Sequence, residues 1–376
     1  MPSLMLGFDL HLDLAMNALW YDRDLLLGLE AAREAERLAE EAARNTGVAA
    51  APPAKARSKN TVTLPEMRRA HIGLCVATVL ARVRREGGIG NGYRTHEITY
   101  GVAQGMLAYY RELERQGQMR MIRTSGDMKR AAEEWGAAVG SGGDLSALPI
   151  CYVLGTEGAD CVVEPAQLER WWEDGLRAVS LVHYGVSKYA HGTGTDGPLT
   201  ADGRELLRVM DATGAILDIT HQSDTSFWES LSLFKGRVFA SHQNCRALVP
   251  GDRQHSDEQL RALIERDAII GPALDNWMLF PGYVRQQTPR EQIHLSDYVE
   301  HIDHICQLAG SARYVAIGSD LDGGYGYEQT PEDLLSIADL QKVPEMLRGK
   351  GYAEEDVRAF MYGNAVRFFS EALPAV

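Results

Sequence analysis

The chain has few cysteines, no basic cluster and no long apolar run, and each absence removes a class of protein. Its five cysteines, Cys75, Cys151, Cys161, Cys245 and Cys306, are an odd and widely spaced set without a C-x-x-C pair. Disulfide scaffolds and structural zinc knuckles need paired or closely spaced thiols, so a reducing compartment is expected. With 52 Asp and Glu against 38 Lys and Arg, the formal net charge is -14. Nucleic acids and anionic membranes are bound by excess Lys and Arg, so neither is an expected partner. No stretch approaches the ~18 apolar residues of a membrane span, and no basic-then-apolar order marks a secretory signal. A cytoplasmic, unanchored protein is the expectation.

Hydrophobic residues make up 45% of the chain and charged residues 24%, which supplies a large core. Short runs rich in Val, Ile and Leu recur at 4–10, 71–78, 150–155, 178–183, 215–220, 238–242, 268–274 and 314–319. Amphipathic helical stretches lie between them, including 95–116, 165–176, 200–213 and 256–266. The last two open on good N-caps, Thr200 and Ser256. Eight such runs with helices between them predict an α/β fold, a (β/α)8 TIM-type barrel, as one catalytic domain over 1–376. The run beginning at His71 reads equally as strand or helix. Residues 22–60 interrupt the rhythm: an Ala/Glu/Arg/Leu-rich helix over 22–45, then an Ala/Pro/Lys/Ser loop over 47–60. Following the first strand, this insertion belongs on the catalytic face, as a lid, an oligomer contact or a solvated decoration.

The first run reads Phe8-Asp9-Leu10-His11-Leu12-Asp13-Leu14, with ionisable residues at alternating positions. Side chains two apart on a strand share a face. Three ionisable groups on one face of an apolar strand are costly to bury unless a cation sits among them, so the strand predicts a metal site. One H-x-D is a weak signal, because a surface strand with a polar outer face carries it too. A barrel makes a sharper demand, that chemical residues cluster at the C-terminal ends of several strands. They do so at Gly155-Thr156-Glu157-Gly158, Leu181-Val182-His183-Tyr184, Asp218-Ile219-Thr220-His221, Ala240-Ser241-His242 and Ile317-Gly318-Ser319-Asp320-Leu321-Asp322-Gly323. Imidazole and carboxylate suit zinc and its neighbours. Such a set can fill two metal positions with one carboxylate bridging, the arrangement of metal-assisted hydrolysis.

In order and spacing, Asp9-Leu10-His11-Leu12-Asp13, Gly155-Thr156-Glu157-Gly158, Leu217-Asp218-Ile219-Thr220-His221, Ala240-Ser241-His242 and the Ile317 to Gly323 motif resemble those of the zinc-dependent renal (membrane) dipeptidase family. The resemblance continues to Gly363-Asn364-Ala365-Val366-Arg367, with the chain as a divergent, bacterial-type soluble member. It implies a barrel with a binuclear zinc centre that hydrolyses dipeptides, L,L and L,D. His11 and Asp13 are implied as ligands of one zinc, His221 and His242 of the other, and Glu157 as the bridge. His183 is implied to contact substrate and steady the oxyanion. Asp320 is implied to exchange protons with the metal-bound water and the leaving amine. Arg253, with Arg246 as the alternative in the same loop, is implied to pair with the substrate's terminal carboxylate. A homodimer is also implied. Leu10, Leu12 and Ala15 stand where family members commonly have Gly, Asn and Pro, so specificity is where this chain is expected to differ.

His301 and His304 lie three apart on an expected helix over 295–308 and have no strand-end carboxylate beside them, so they are read as structural. Asp9, Asp218 and Asp322 are read as orienters of neighbouring ligands. Two other functions compete: an amidohydrolase-like enzyme acting on a lactam, cyclic imide or other small amide, and a non-catalytic metal- or peptide-binding barrel. Asp320 beside all five ligand candidates argues for catalysis, because a binding protein needs no proton shuttle.

Overall fold

A strand covered on both faces needs apolar side chains at successive positions, and Ile72–Val79 has them: all 8 of its residues are buried. The computed structural model describes residues 4–46, 58–84 and 92–375. Its strands are β1 (Gly7–Leu12), β2 (Ile72–Val79), β3 (Met119–Met121), β4 (Ile150–Thr156), β5 (Leu176–Ser180), β6 (Ile216–Asp218) and β7 (Val238–Phe239). They pair in parallel in the order β1-β2-β4-β5-β6-β7, with β3 attached to the start of β4.

The ring continues past these strands. Ala240 bridges to Ile270, Ile270 to Val315, and Asp9 to Ile317. The N–H groups of Ile270 and Leu10 donate to the carbonyls of Tyr314 and Ile317, each at 2.8 Å. Residues 268–274 and 314–319 are thus the last two staves, and the parallel barrel closes on β1. Two glycines allow this. A Cβ on Gly318 would lie 2.0 Å from the Ser241 carbonyl and 2.8 Å from Gly271 Cα, so the close approach at Gly271 and Gly318 requires that side chains be missing there.

Helices cover the barrel because each buries one stripe. His96–Arg115 is capped by the Thr95 hydroxyl and buries Thr99, Ala103, Met106, Leu107, Tyr110 and Leu113. Asp257–Glu265 starts with a Ser256/Gln259 capping box, a device worth about 1 kcal/mol. Phe369 of the terminal helix Asn364–Ala372 stacks on Phe8 at 5.4 Å, tying the end of the chain to β1.

Several elements differ from the sequence reading. The first strand ends at Leu12, two residues past the expected run, and Asp13 leads into an unexpected helix, Leu14–Tyr21. The ambiguous run at His71 is a strand. The helix expected over 165–176 stops at Asp174, because Gly175 takes φ 111° and Leu176 starts β5. β3 and the helix Ser125–Ser141 were unforeseen; three strand residues make too short an apolar pattern to read. In the insertion the helix is Leu29–Thr46, after a turn that begins with Asp22 at φ 56°. Of the loop expected over 47–60, residues 47–57 lie outside the described residues. Arg33 fastens the insertion helix by donating to the carbonyls of Asn60 at 2.8 Å and Leu335 at 2.7 Å. Among the described residues no helix is long and apolar enough to cross a membrane.

Candidate metal centre

The barrel delivers its polar residues to one end. His11 lies near the end of β1, and Asp13 follows it. Glu157 follows β4, its N–H donating to the Val79 carbonyl at 3.2 Å. His221 comes three residues after β6 and His242 three after β7, while Asp320 directly follows the last stave. His221 and Asp320 adopt left-handed backbone, φ 69° and 55°. That conformation costs an L-residue roughly 1–2 kcal/mol, which the surrounding structure must offset.

One carboxylate oxygen is the hub. Glu157 Oε1 lies 3.3 Å from Nε2 of both His221 and His242, 3.4 Å from that of His183 and 3.7 Å from that of His11. His11 Nε2 is also 3.7 Å from Asp13 Oδ1 and 3.9 Å from Asp320 Oδ1. Hydroxyls hold the outer ring nitrogens. Ser241 Oγ is 2.8 Å from His242 Nδ1 and 3.3 Å from His11 Nδ1, and Thr193 Oγ1 is 3.0 Å from His221 Nδ1. Asp218 sets Ser241 in turn, accepting its N–H and that of Thr220 at 3.1 Å. The Thr78 hydroxyl bonds Asp13, and Tyr110 donates to the Thr78 carbonyl at 2.8 Å. Outer partners of this kind aim Nε2 inward.

Electrostatics show what the cluster wants. Burial holds His221 and His242 well below the ordinary imidazole range, with the Arg253 charge adding to the effect. Burial also opposes charge on His11, but Asp13, Glu157 and Asp320 outweigh it and raise its pKa to about 10. Glu157 and Asp320 are pushed up by burial and by their acidic neighbours. Among the described residues His11 Nε2 is buried without a hydrogen-bond partner. An orphaned donor atom among buried carboxylates and neutral imidazoles fits a divalent cation, and the N/O set suits zinc and its neighbours. Donor atoms within 4.8 Å of one another group as His11, Glu157 and His242; as Glu157, His183 and His221; and as His11, Asp13 and Asp320. These groups cut across the expected division, placing His242 with His11, and Glu157 belongs to two of them.

A cavity of about 700 Å³ opens over the cluster, with Trp20, Tyr21, Arg82, Tyr184, Arg253 and Trp277 in its wall. Arg253 is buried, donating to Gln243 Oε1 at 2.8 Å and the His242 carbonyl at 2.9 Å, while its Nε has no partner among the described residues. Arg246 instead clasps Asp224 with two bonds, 2.8 and 2.7 Å.

Asp9 corrects the reading of an imidazole orienter. Its carboxylate accepts the N–H groups of His11 at 3.2 Å and Ser319 at 3.0 Å and the Ser319 hydroxyl at 2.5 Å, so it fixes main chain and not a ring. Asp322 likewise accepts from Thr61 and Val62, at 2.7–3.0 Å, and bolts the last stave's loop to the end of the insertion. His301 accepts the Cys245 N–H at 3.1 Å and His304 pairs with Asp257 at 2.8 Å, both structural as read. Arg82 and Thr193 were missed. The strand-end rule pointed to residues just past β2, but Leu80, Ala81 and Arg82 there offer no histidine or acid to attract notice.

The sequence model of membrane dipeptidase, peptidase family M19, matches residues 5–374. Dipeptidase aclJ of Aspergillus oryzae is 28% identical over 227 residues, 59% of this chain and 51% of that protein. The chain therefore spans about half the length of that relative. The solved dipeptidase AC, a metallopeptidase of family M19, has a TM-score of 0.74 at 19% identity, covering 99% of this chain and 100% of its own. A metallopeptidase of Rhodobacter sphaeroides, solved with a phosphinate mimic of L-Ala-D-Ala, has a TM-score of 0.74 at 18% identity, covering 98% and 99%. At these identities the two structures establish the shared fold.

Proposed function

Because the chain belongs to the membrane dipeptidase family, peptidase family M19, a family of metal-dependent hydrolases, we propose that it cleaves L,L and L,D dipeptides at a pair of zinc ions. The observation that carries the reading is Glu157 Oε1 set 3.3–3.7 Å from four inward-facing imidazole nitrogens. In this reading His11 and Asp13 would hold one ion and His221 and His242 the other, with Glu157 available to both. Bound there, the ions supply Lewis acidity toward the scissile carbonyl and acidify water.

The chain's own residues do the rest. Asp320, at the rim of the cluster beside His11, takes the proton of the attacking water and returns it to the departing amine. His183, facing the cavity across Glu157, donates to the carbonyl oxygen as negative charge develops there. Arg253 receives the substrate's terminal carboxylate, which limits length to two residues; its buried, unpartnered Nε supports it over Arg246, already held by Asp224. The L-Ala-D-Ala mimic bound by the Rhodobacter sphaeroides protein supports a D-residue at the second position. Five free cysteines, all buried, agree with a cytoplasmic enzyme, and the homodimer follows from family resemblance.

The test joins metal analysis to a panel of L,L and L,D dipeptides. About two zinc per chain with dipeptide turnover is the expected result. Asp320→Asn keeps the metal and loses turnover. Metal without turnover of any dipeptide overturns the substrate assignment, and loss of metal in Asp320→Asn makes that residue a ligand.

A further inference from the structure

Arg82 stands three residues beyond β2, and both polar groups of the peptide that follows it are held. Its carbonyl accepts the Tyr93 N–H at 2.9 Å, and the Val83 N–H donates to Asp160 Oδ2 at 2.9 Å. The guanidinium Nη1 lies 2.7 Å from His183 Nδ1. The other nitrogen of the same ring, Nε2, is 3.4 Å from Glu157 Oε1. A guanidinium has only donors, so at this distance Nδ1 must be the acceptor and carry no proton. The ring proton then sits on Nε2, toward the carboxylate and the cavity.

A metal ligand needs the reverse, a bare Nε2. His221 and His242 have it within reach, since Thr193 and Ser241 present hydroxyls able to accept a hydrogen bond from a protonated Nδ1. His183 lies in the same donor cluster as Glu157 and His221, so distance alone does not separate it from the ligands. The chemistry of its outer partner does. We infer that Arg82 is a positioning residue that locks His183 in its Nε2–H form, making it a hydrogen-bond donor to the substrate and barring it from the metal. The donor role rests on the dipeptidase reading; the tautomer does not.

Two measurements test this. In zinc-loaded enzyme carrying 15N-histidine, long-range proton–nitrogen correlations read the tautomer of His183, whose signal is assigned by its loss in His183→Gln. The expected result is protonated Nε2 and bare Nδ1 in the native protein, with that pattern lost in Arg82→Met. In dipeptide hydrolysis, Arg82→Met lowers kcat roughly 10–100-fold with KM and zinc content unchanged. Arg82→Lys, which also only donates, recovers most of it. In a His183→Gln background the Arg82→Met change adds nothing further, because both act through one ring. A proton on Nδ1, zinc lost with Arg82, a rise in KM alone, or an undiminished effect in the His183→Gln background each overturns the assignment. Should the native enzyme cleave no dipeptide, the dipeptidase reading fails while the nitrogen spectrum still decides the tautomer.

Discussion

His221 Nε2 and His242 Nε2 face each other at 3.0 Å, and each lies 3.3 Å from Glu157 Oε1. Two buried imidazoles aimed at one point, both with depressed proton affinity, are stabilised by a cation that accepts both lone pairs.

Metal should therefore stabilise the fold. A bound ion that the unfolded chain does not hold contributes about 2.7 kcal/mol at a hundred times its Kd. Thermal unfolding of chelated protein should shift upward when zinc is restored. In His242→Ala the gain should shrink. A midpoint indifferent to zinc in the native protein would remove the metal centre from the account.

The two arginines of the loop after His242 should separate cleanly. Replacing Arg253 by Met removes a buried guanidinium that lines the cavity, and charge-assisted bonds of this kind contribute about 1.5–3 kcal/mol. Steady-state kinetics on a dipeptide should show KM raised by one to two orders of magnitude, as roughly 1.4 kcal/mol corresponds to tenfold. Arg246→Met breaks a half-exposed pair with Asp224 and should leave KM within about twofold, consistent with the small energies of such pairs. Equal effects would reassign the carboxylate contact.

The barrel was legible because its staves are short apolar runs, and all eight expected runs take part in it. β7 and the last two staves have little ladder of their own, yet their Val, Ile and Gly residues show what they pack against. The site was legible where histidine or acid stands at a strand end, as at Glu157, His221 and His242. It was illegible where the partner is a hydroxyl or a guanidinium brought from afar. Thr193 reaches His221 from 28 residues away, and Arg82 reaches His183 from 101. Neither residue type marks itself in a sequence, because Thr and Arg are ordinary surface choices until the fold brings them beside a ring.

Acid should weaken the fold through buried neutral histidines. Burial, with a smaller push from His304, lowers the His301 pKa from 6.5 to about 3. Its folded form is neutral while the unfolded chain takes up a proton below pH 6.5. Stability is thus fully present above that value and is lost as pH falls toward 3, at up to about 1.4 kcal/mol per unit. Between pH 7 and 5 one such group removes roughly 2 kcal/mol. His301→Gln keeps an acceptor for the Cys245 N–H, so in chelated protein its urea midpoint should fall less over this interval. An identical fall in both proteins would place the sensitivity elsewhere, His255 being the other buried histidine held near 3.

The insertion should prove to be part of the metal site's support. Arg23, its side chain 1% exposed, bonds Glu36 of the insertion helix at 2.8 Å and Asn17 at 2.5 Å. Asn17 in turn donates to the carbonyls of Asp13 and Asp322, both at 3.0 Å. One buried guanidinium therefore connects the inserted helix to a candidate ligand and to the loop that carries Asp320. Breaking a buried ion pair by removing one partner costs about 3–5 kcal/mol. Arg23→Met and Glu36→Leu should each show such a loss in urea unfolding, and the double variant should lose less than their sum. Because Arg23 holds Asn17 and Asn17 holds the Asp13 carbonyl, Arg23→Met should also weaken zinc binding by roughly 10–100-fold in a competition titration. Additive losses in the double variant with zinc affinity intact would instead make the insertion an independent attachment to the barrel.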